Sequence, residues 1–137
     1  MAIKLKSTGG LTANGVKVLV YGAAGSGKTT LVQTLPNVIV LSAEGGLLSI
    51  QDADLPYIEI ASMDDLREAF DWCRDSKEAA GFQSVALDSI SEVAEVVLSH
   101  ELKKSKDGRA AYGEMNSTMT ELIRAFRDLP GKHVYMS

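Results

Sequence analysis

Between Gly22 and Thr29 the chain reads Gly22-Ala23-Ala24-Gly25-Ser26-Gly27-Lys28-Thr29, which places glycine, lysine and a hydroxyl at the spacing G-x-x-x-x-G-K-[ST]. These residue types at this spacing suit a polyphosphate. Glycines at 22, 25 and 27 allow positive φ angles and let backbone N–H groups approach an anion with no Cβ in the way. Lys28 then reaches the β- and γ-phosphates as a point charge, helped by the positive end of the helix that starts near Gly27. Thr29 supplies a hydroxyl for Mg²⁺, and Thr30 follows on the same turn. A glycine-rich turn with no ligand would not account for a lysine placed inside it. The flanking sequence agrees, because a β-branched run, Val16 to Tyr21, precedes the loop and an apolar-periodic stretch follows it.

A second chemical element lies downstream. Val85-Ala86-Leu87-Asp88 is three apolar residues ending in an acid, the Walker B pattern, whose aspartate would hold Mg²⁺ through a water on the side opposite Thr29. An aspartate at a strand end also serves as the cap of the next helix, so both roles stand at this point. Hydrolysis needs a group to orient water, and the residue after Asp88 is Ser89 rather than glutamate. Glu44, at the end of a buried strand, is the first candidate for the base, with Glu92 second.

The elements that must position these groups follow from periodicity. Strands are expected at Val16 to Tyr21, Val38 to Ser42, Tyr57 to Ile60, Ser84 to Asp88 and His133 to Met136. The first of these suits a strand buried on both faces of a parallel sheet. The loop helix is expected over Thr29 to Leu35, stopped by Pro36. Glu44-Gly45-Gly46 reads as a tight turn. Ser62 with Asp65 forms a capping-box-like start for a helix with Leu66, Ala69, Phe70 and Cys73 on one face. A helix from about Ser91 to Lys103 and a polar loop from Lys104 to Ala111 come next. Met115, Met119, Leu122, Ile123 and Phe126 then mark an amphipathic helix closed by Pro130-Gly131, its methionines acting as core filler. Strands alternating with helices predict a mainly parallel α/β sheet of the P-loop NTPase class, with ligands at the C-terminal strand ends. Residues 1–15 read as an N-terminal arm and 16–137 as the nucleotide-binding domain, which is expected to be the front part of a longer protein.

Bulk composition narrows the classes. The 137 residues carry 14 basic and 18 acidic side chains, a net charge of −4, which argues against a protein that coats nucleic acid with its whole surface. No apolar run approaches a membrane span and the N-terminus lacks a signal-peptide core, so the reading is cytoplasmic with no membrane partner. Cys73, the single cysteine, reads as a buried inert thiol, and His100 and His133 have no partners at metal-ligand spacing.

Taken in order, the P-loop and its helix, Leu41-Ser42-Ala43-Glu44-Gly45-Gly46, and Val85-Ala86-Leu87-Asp88-Ser89 resemble the core of RecA-type ATPases. They are most similar to the phage-encoded RecA-like nucleotide-binding proteins associated with single-strand annealing and recombination, which would place the chain in a bacterial host cytoplasm. The resemblance implies ATP and Mg²⁺ as ligands, Glu44 as catalytic base and Asp88 with Ser89 at Walker B. It also implies a DNA-contacting loop at Lys103 to Tyr112, a polar γ-phosphate sensor at Ser137, and a second DNA-contacting loop beyond Ser137. An assembly of several copies is implied too, with an arginine from a neighbouring subunit completing the site, for which Arg109, Arg124 and Arg127 are candidates.

The first of those loops holds Lys103, Lys104, Lys106 and Arg109 against Asp107, a local charge of +3, whereas residues 41–71 hold eight carboxylates against Arg67 alone. Single-stranded DNA would approach the basic segment, with Tyr112 as a stacking group; a solvated helix end is the plainer reading. The leading expectation is an ATP-hydrolysing protein acting with single-stranded DNA in recombination or replication. A nucleotide-dependent binding switch without significant hydrolysis is the alternative. A small-molecule kinase ranks lower because the arginines are scattered, and a GTPase lower still because no [NT]-K-x-D motif occurs.

Overall fold

The computed structural model describes residues 2–10, 14–43 and 45–137. Its regular elements are β1 (Lys17–Leu19), α1 (Lys28–Val32), β2 (Val38–Ser42), β3 (Tyr57–Glu59), α2 (Met63–Asp75), β4 (Ser84–Asp88), α3 (Ile90–Lys104), α4 (Gly108–Arg127) and β5 (His133–Met136). The strands form one sheet in the order β1-β5-β4-β2-β3, and every pairing is parallel. This is the α/β architecture of a P-loop NTPase, with helices on both faces.

Alternation along the strands sorts the core into two layers. Ile39, Leu41, Val85, Leu87, Val134 and Met136 face α2, α3 and α4 and pack with Leu66, Val93, Val97, Met119 and Phe126. Val38, Val40, Ala86 and Tyr135 face the other way, onto Val32 of α1. All five residues of β2 and of β4 are buried, which is why residues 38–41 and 85–87 read as apolar runs. The expected capping box is formed: Ser62 Oγ accepts from the Asp65 N–H at 3.1 Å, and Asp65 Oδ2 accepts from the Ser62 N–H at 3.1 Å.

Four expectations need correction. β1 is an edge strand rather than a doubly buried one; it pairs only with β5, and Val16 and Leu19 are 61% and 64% exposed. Its lysine is used structurally, since Lys17 Nζ donates to the carbonyls of Leu129 (2.9 Å) and Lys132 (2.6 Å) below α4. α1 stops at Val32, and the chain tightens into 3₁₀-type bonds through Leu35. The segment beginning at Gly46 is a kinked 3₁₀ stretch to Ala53 rather than a tight turn alone. Finally, most of the expected loop from Lys104 to Ala111 is helical, because Asp107 Oδ1 accepts from the Arg109 N–H at 3.0 Å and caps α4 at Gly108.

Phe126 is fully buried and meets Phe70 edge-to-face, with centroids 5.0 Å apart and planes at 77°. Phe126→Ala is expected to cost about 3–5 kcal/mol of stability, and Ser62→Ala about 1 kcal/mol through the lost cap. Both should appear as a lower urea midpoint at unchanged slope.

Candidate nucleotide site

The phosphate-binding loop leaves the C-terminal end of β1 and enters α1, and its glycines are used in two different ways. Gly25 and Gly27 adopt φ of +79° and +98°, the left-handed region that glycine tolerates without strain. Gly22 is not in that region, which corrects the expectation of positive φ there. A Cβ at Gly22 would stand 2.9 Å from Ser26 Oγ, so the Ser26 hydroxyl would have to turn away to admit it. The Ser26 N–H donates to the Ala23 carbonyl at 3.2 Å and closes the turn. Ala24 and Thr30 are exposed along the same loop and first helical turn. No side chain caps α1 at Gly27. Lys28 Nζ donates to the Gly22 carbonyl at 2.6 Å, so the ammonium lies across the loop.

Asp88 ends β4 and is 3% exposed. Its two oxygens are taken by two hydroxyls: Thr29 Oγ1 donates to Oδ2 at 3.1 Å and Ser137 Oγ donates to Oδ1 at 2.9 Å. The structure thus brings Thr29, Asp88 and Ser137 together, although 59 and 49 residues separate Asp88 from the other two in sequence. Asp88 is not the helix cap that its position also allowed. Ser89 takes that part, its Oγ accepting from the Glu92 N–H at 3.4 Å, and this leaves the Asp88 carboxylate for the loop side of the sheet. Backbone bonds lace the same strand ends: Ala43 N–H to the Asp88 carbonyl at 3.1 Å, Ser137 N–H to the Leu87 carbonyl at 3.2 Å, and Ile90 N–H to the Ser137 carbonyl at 2.6 Å.

Glu44, expected to act as the base, lies outside the described residues. Glu92 is exposed on the first turn of α3. Tyr135, which the sequence marked only as part of a strand, sits beneath α1 and donates from its hydroxyl to the Lys28 carbonyl at 2.5 Å. The signal for it was its position two residues before Ser137, which puts both side chains on one face of β5.

Among the described residues no three His, Cys, Asp or Glu side chains converge to hold a metal ion by themselves. The Thr29 hydroxyl and the Asp88 carboxylate are a pair of hard oxygen donors 3.1 Å apart. Such a pair fits Mg²⁺, which keeps waters and takes further oxygens from a bound phosphate. His133 is occupied elsewhere, its Nδ1 accepting from the Val16 N–H at 3.0 Å. Burial pushes the Cys73 thiol up to about 11, so it is protonated and not a nucleophile.

The basic residues do not form an open loop. Lys103 and Lys104 belong to the last turn of α3, Lys106 to the short connection, and Arg109 and Tyr112 to the first turns of α4. α4 spans about 30 Å, against about 17 Å for a five-residue strand. Its C-terminal end lies at the N-terminal edge of the sheet, where Leu129 meets Lys17. Arg109, Arg124 and Arg127 are all exposed on α4, and Arg127 pairs with Asp128 at 2.8 Å. No helix among the described residues is long and apolar enough to cross a membrane.

Gly22→Ala is expected to weaken Mg-ADP binding by crowding Ser26 while the melting temperature of the ligand-free protein stays within a few degrees; titration calorimetry and thermal melts measure the two quantities. Cys73 should stay unreactive toward Ellman's reagent at pH 8 in the folded protein and react once urea exposes it.

Comparison with curated proteins returns no match. Residues 14–137 match the family described as AAA domain, which covers the loop, the Asp88 strand and the sheet in between. The chain belongs to this AAA domain family and carries the nucleotide-binding P-loop ATPase fold.

Proposed function

We propose that the protein is a RecA-like, Mg²⁺-dependent ATPase that acts with single-stranded DNA in phage recombination or replication, assembling as several copies. The observation that carries this reading is the meeting of Thr29, Asp88 and Ser137 beside the P-loop. It joins a hydroxyl on the loop helix, an acid on the middle strand and a hydroxyl on the strand between them. A polyphosphate at the loop would receive backbone N–H groups from residues 22–30 and the Lys28 ammonium. Mg²⁺, when bound, neutralises charge that develops on the phosphates, held by Thr29 and by Asp88. Ser137, already within hydrogen-bond reach of Asp88, is the residue that would register the γ-phosphate and report its loss. Glu44 is proposed to orient the attacking water. Its support is sequence position, directly after Ala43, whose N–H meets the Asp88 carbonyl.

For DNA, the support is charge and placement. Lys103, Lys104, Lys106 and Arg109 lie at the tip of the α3–α4 hairpin, with Tyr112 exposed beside them. Phosphate contacts from such a cluster give salt-dependent binding, and an aromatic ring adds a stacking platform. An arginine from a neighbouring copy would complete the catalytic site.

Mg-ATP turnover with and without single-stranded DNA tests the whole reading, and stimulation by DNA that fades with rising salt is expected. ATP binding with no stimulation would leave a nucleotide switch instead. Glu44→Gln should keep ATP affinity within a few-fold and remove most turnover, whereas Lys28→Ala should weaken phosphate binding itself. Replacing Lys103, Lys104 and Lys106 with glutamate should abolish the DNA effect and leave basal turnover in place.

A further inference from the structure

β5 presents Tyr135 and Ser137 on the loop-facing side of the sheet. Ser137 belongs to the site described above; Tyr135 has no assigned part in it. The Tyr135 ring is 2% exposed and packs with Val32, Val40 and Ala86. Its hydroxyl donates to the carbonyl of Lys28 at 2.5 Å, across 107 residues of sequence. Burial, with the Asp88 carboxylate as a second cause, pushes the phenol pKa up. The hydroxyl therefore keeps its proton at neutral pH and remains a donor.

α1 needs such a tie. It has five residues, no side-chain cap, and gives way to 3₁₀-type bonds from Gln33 onward. A helix of one and a half turns has little stability of its own, so its position depends on contacts to the rest of the fold. Val32 and Leu35 supply apolar contact, and the 3₁₀ stretch Gly46–Ala53 packs alongside α1. Two hydrogen bonds supply direction. One is Thr29 to Asp88, made by atoms that would also serve a metal ion, so its geometry answers to the ion as well as to the helix. The other is Tyr135 to Lys28, made on the peptide unit that joins Lys28 to Thr29 and on the side away from the phosphates.

We propose that Tyr135 is a positioning residue of the nucleotide site: by holding the Lys28 carbonyl it sets the register in which Lys28 and Thr29 meet the phosphates, with or without ligand. The proposal rests on the reading of residues 22–29 as a nucleotide site.

Tyr135→Phe removes the donor and keeps the ring. The Kd for Mg-ADP is expected to rise about 3- to 10-fold, measured by calorimetry at a temperature where both proteins are fully folded. In turnover assays KM should rise more than kcat falls. A tyrosine that only fills the core would lower the melting temperature of the ligand-free protein and leave Kd as it was; an unchanged Kd overturns the proposal. Failure of the unaltered protein to bind Mg-ADP would strike at the nucleotide-site reading instead. Should Tyr135→Phe not fold, a second probe is at hand, because the other three tyrosines, Tyr21, Tyr57 and Tyr112, are exposed. Replacing them with phenylalanine and incorporating 3-fluorotyrosine leaves Tyr135 as the fluorine probe. Its resonance should show a hydrogen-bonded, buried phenol both in the free protein and at saturating Mg-ADP, and loss of that hydrogen-bonded signature on binding overturns the proposal.

Discussion

A buried carboxylate governs the arrangement of this molecule. A buried acid is tolerated only when hydrogen bonds replace its solvation, and both oxygens of Asp88 are served by hydroxyls from other elements. One hydroxyl must come from the P-loop helix and the other from the end of β5. That is met only if β5 lies between β1 and β4 with the three strand ends level. The registers supply this, since Met136 stands opposite Leu19 on one side and Leu87 on the other. Strand order, loop position and hydroxyl placement are thus one constraint seen at three scales.

Charge is laid out separately from that core. The ion pairs on α2, Arg74 with Asp71 and Asp75, are solvent-exposed and contribute little to stability. The apolar layers on the two faces of the sheet hold the fold, which leaves surface charge free to serve contacts with other molecules. The segregation is pronounced: carboxylates dominate residues 41–71, while the tip of the α3–α4 hairpin is basic. Two structural lysines escape this pattern by donating to backbone carbonyls. Lys132 Nζ, beneath the sheet, meets the carbonyls of Ala79 and Phe82 at 2.7 Å, much as Lys17 meets those of Leu129 and Lys132.

The sequence was most legible where local pattern and tertiary role coincide. Residues 38–41 and 85–87 are apolar throughout because they occupy the middle of the sheet, and Ser62 with Asp65 announces α2 within four residues. The P-loop was legible because its chemistry fixes residue types at adjacent positions. β1 was misjudged because its burial depends on whether a neighbour stands beyond it, and Val16 to Tyr21 looks the same in either case. Lys104 to Ala111 was misjudged because polarity was read as loop, although Arg109-Ala110-Ala111 has good helix propensity and Asp107 supplies the cap. Gly45-Gly46 was read as a turn, and the 3₁₀ stretch behind it leaves no periodic signature. The tie of Tyr135 to Lys28 joins residues 107 apart, so only the fold reveals it, whereas Ser89 with Glu92 carries the local spacing of a helix cap.

The strand order also dictates when the site can come into being. Among the described strands β1 emerges first during synthesis, yet it pairs there with β5; Val16 and His133, which meet where the two strands begin, are 117 residues apart. β2, β3 and β4 can pair with one another while the ribosome is still adding α3 and α4. The P-loop has no sheet to stand on until His133–Met136 arrives and slides between its two neighbours. Such a late closure of distant ends is slow relative to local contacts, and the nascent chain carries its phosphate-binding sequence unformed until then.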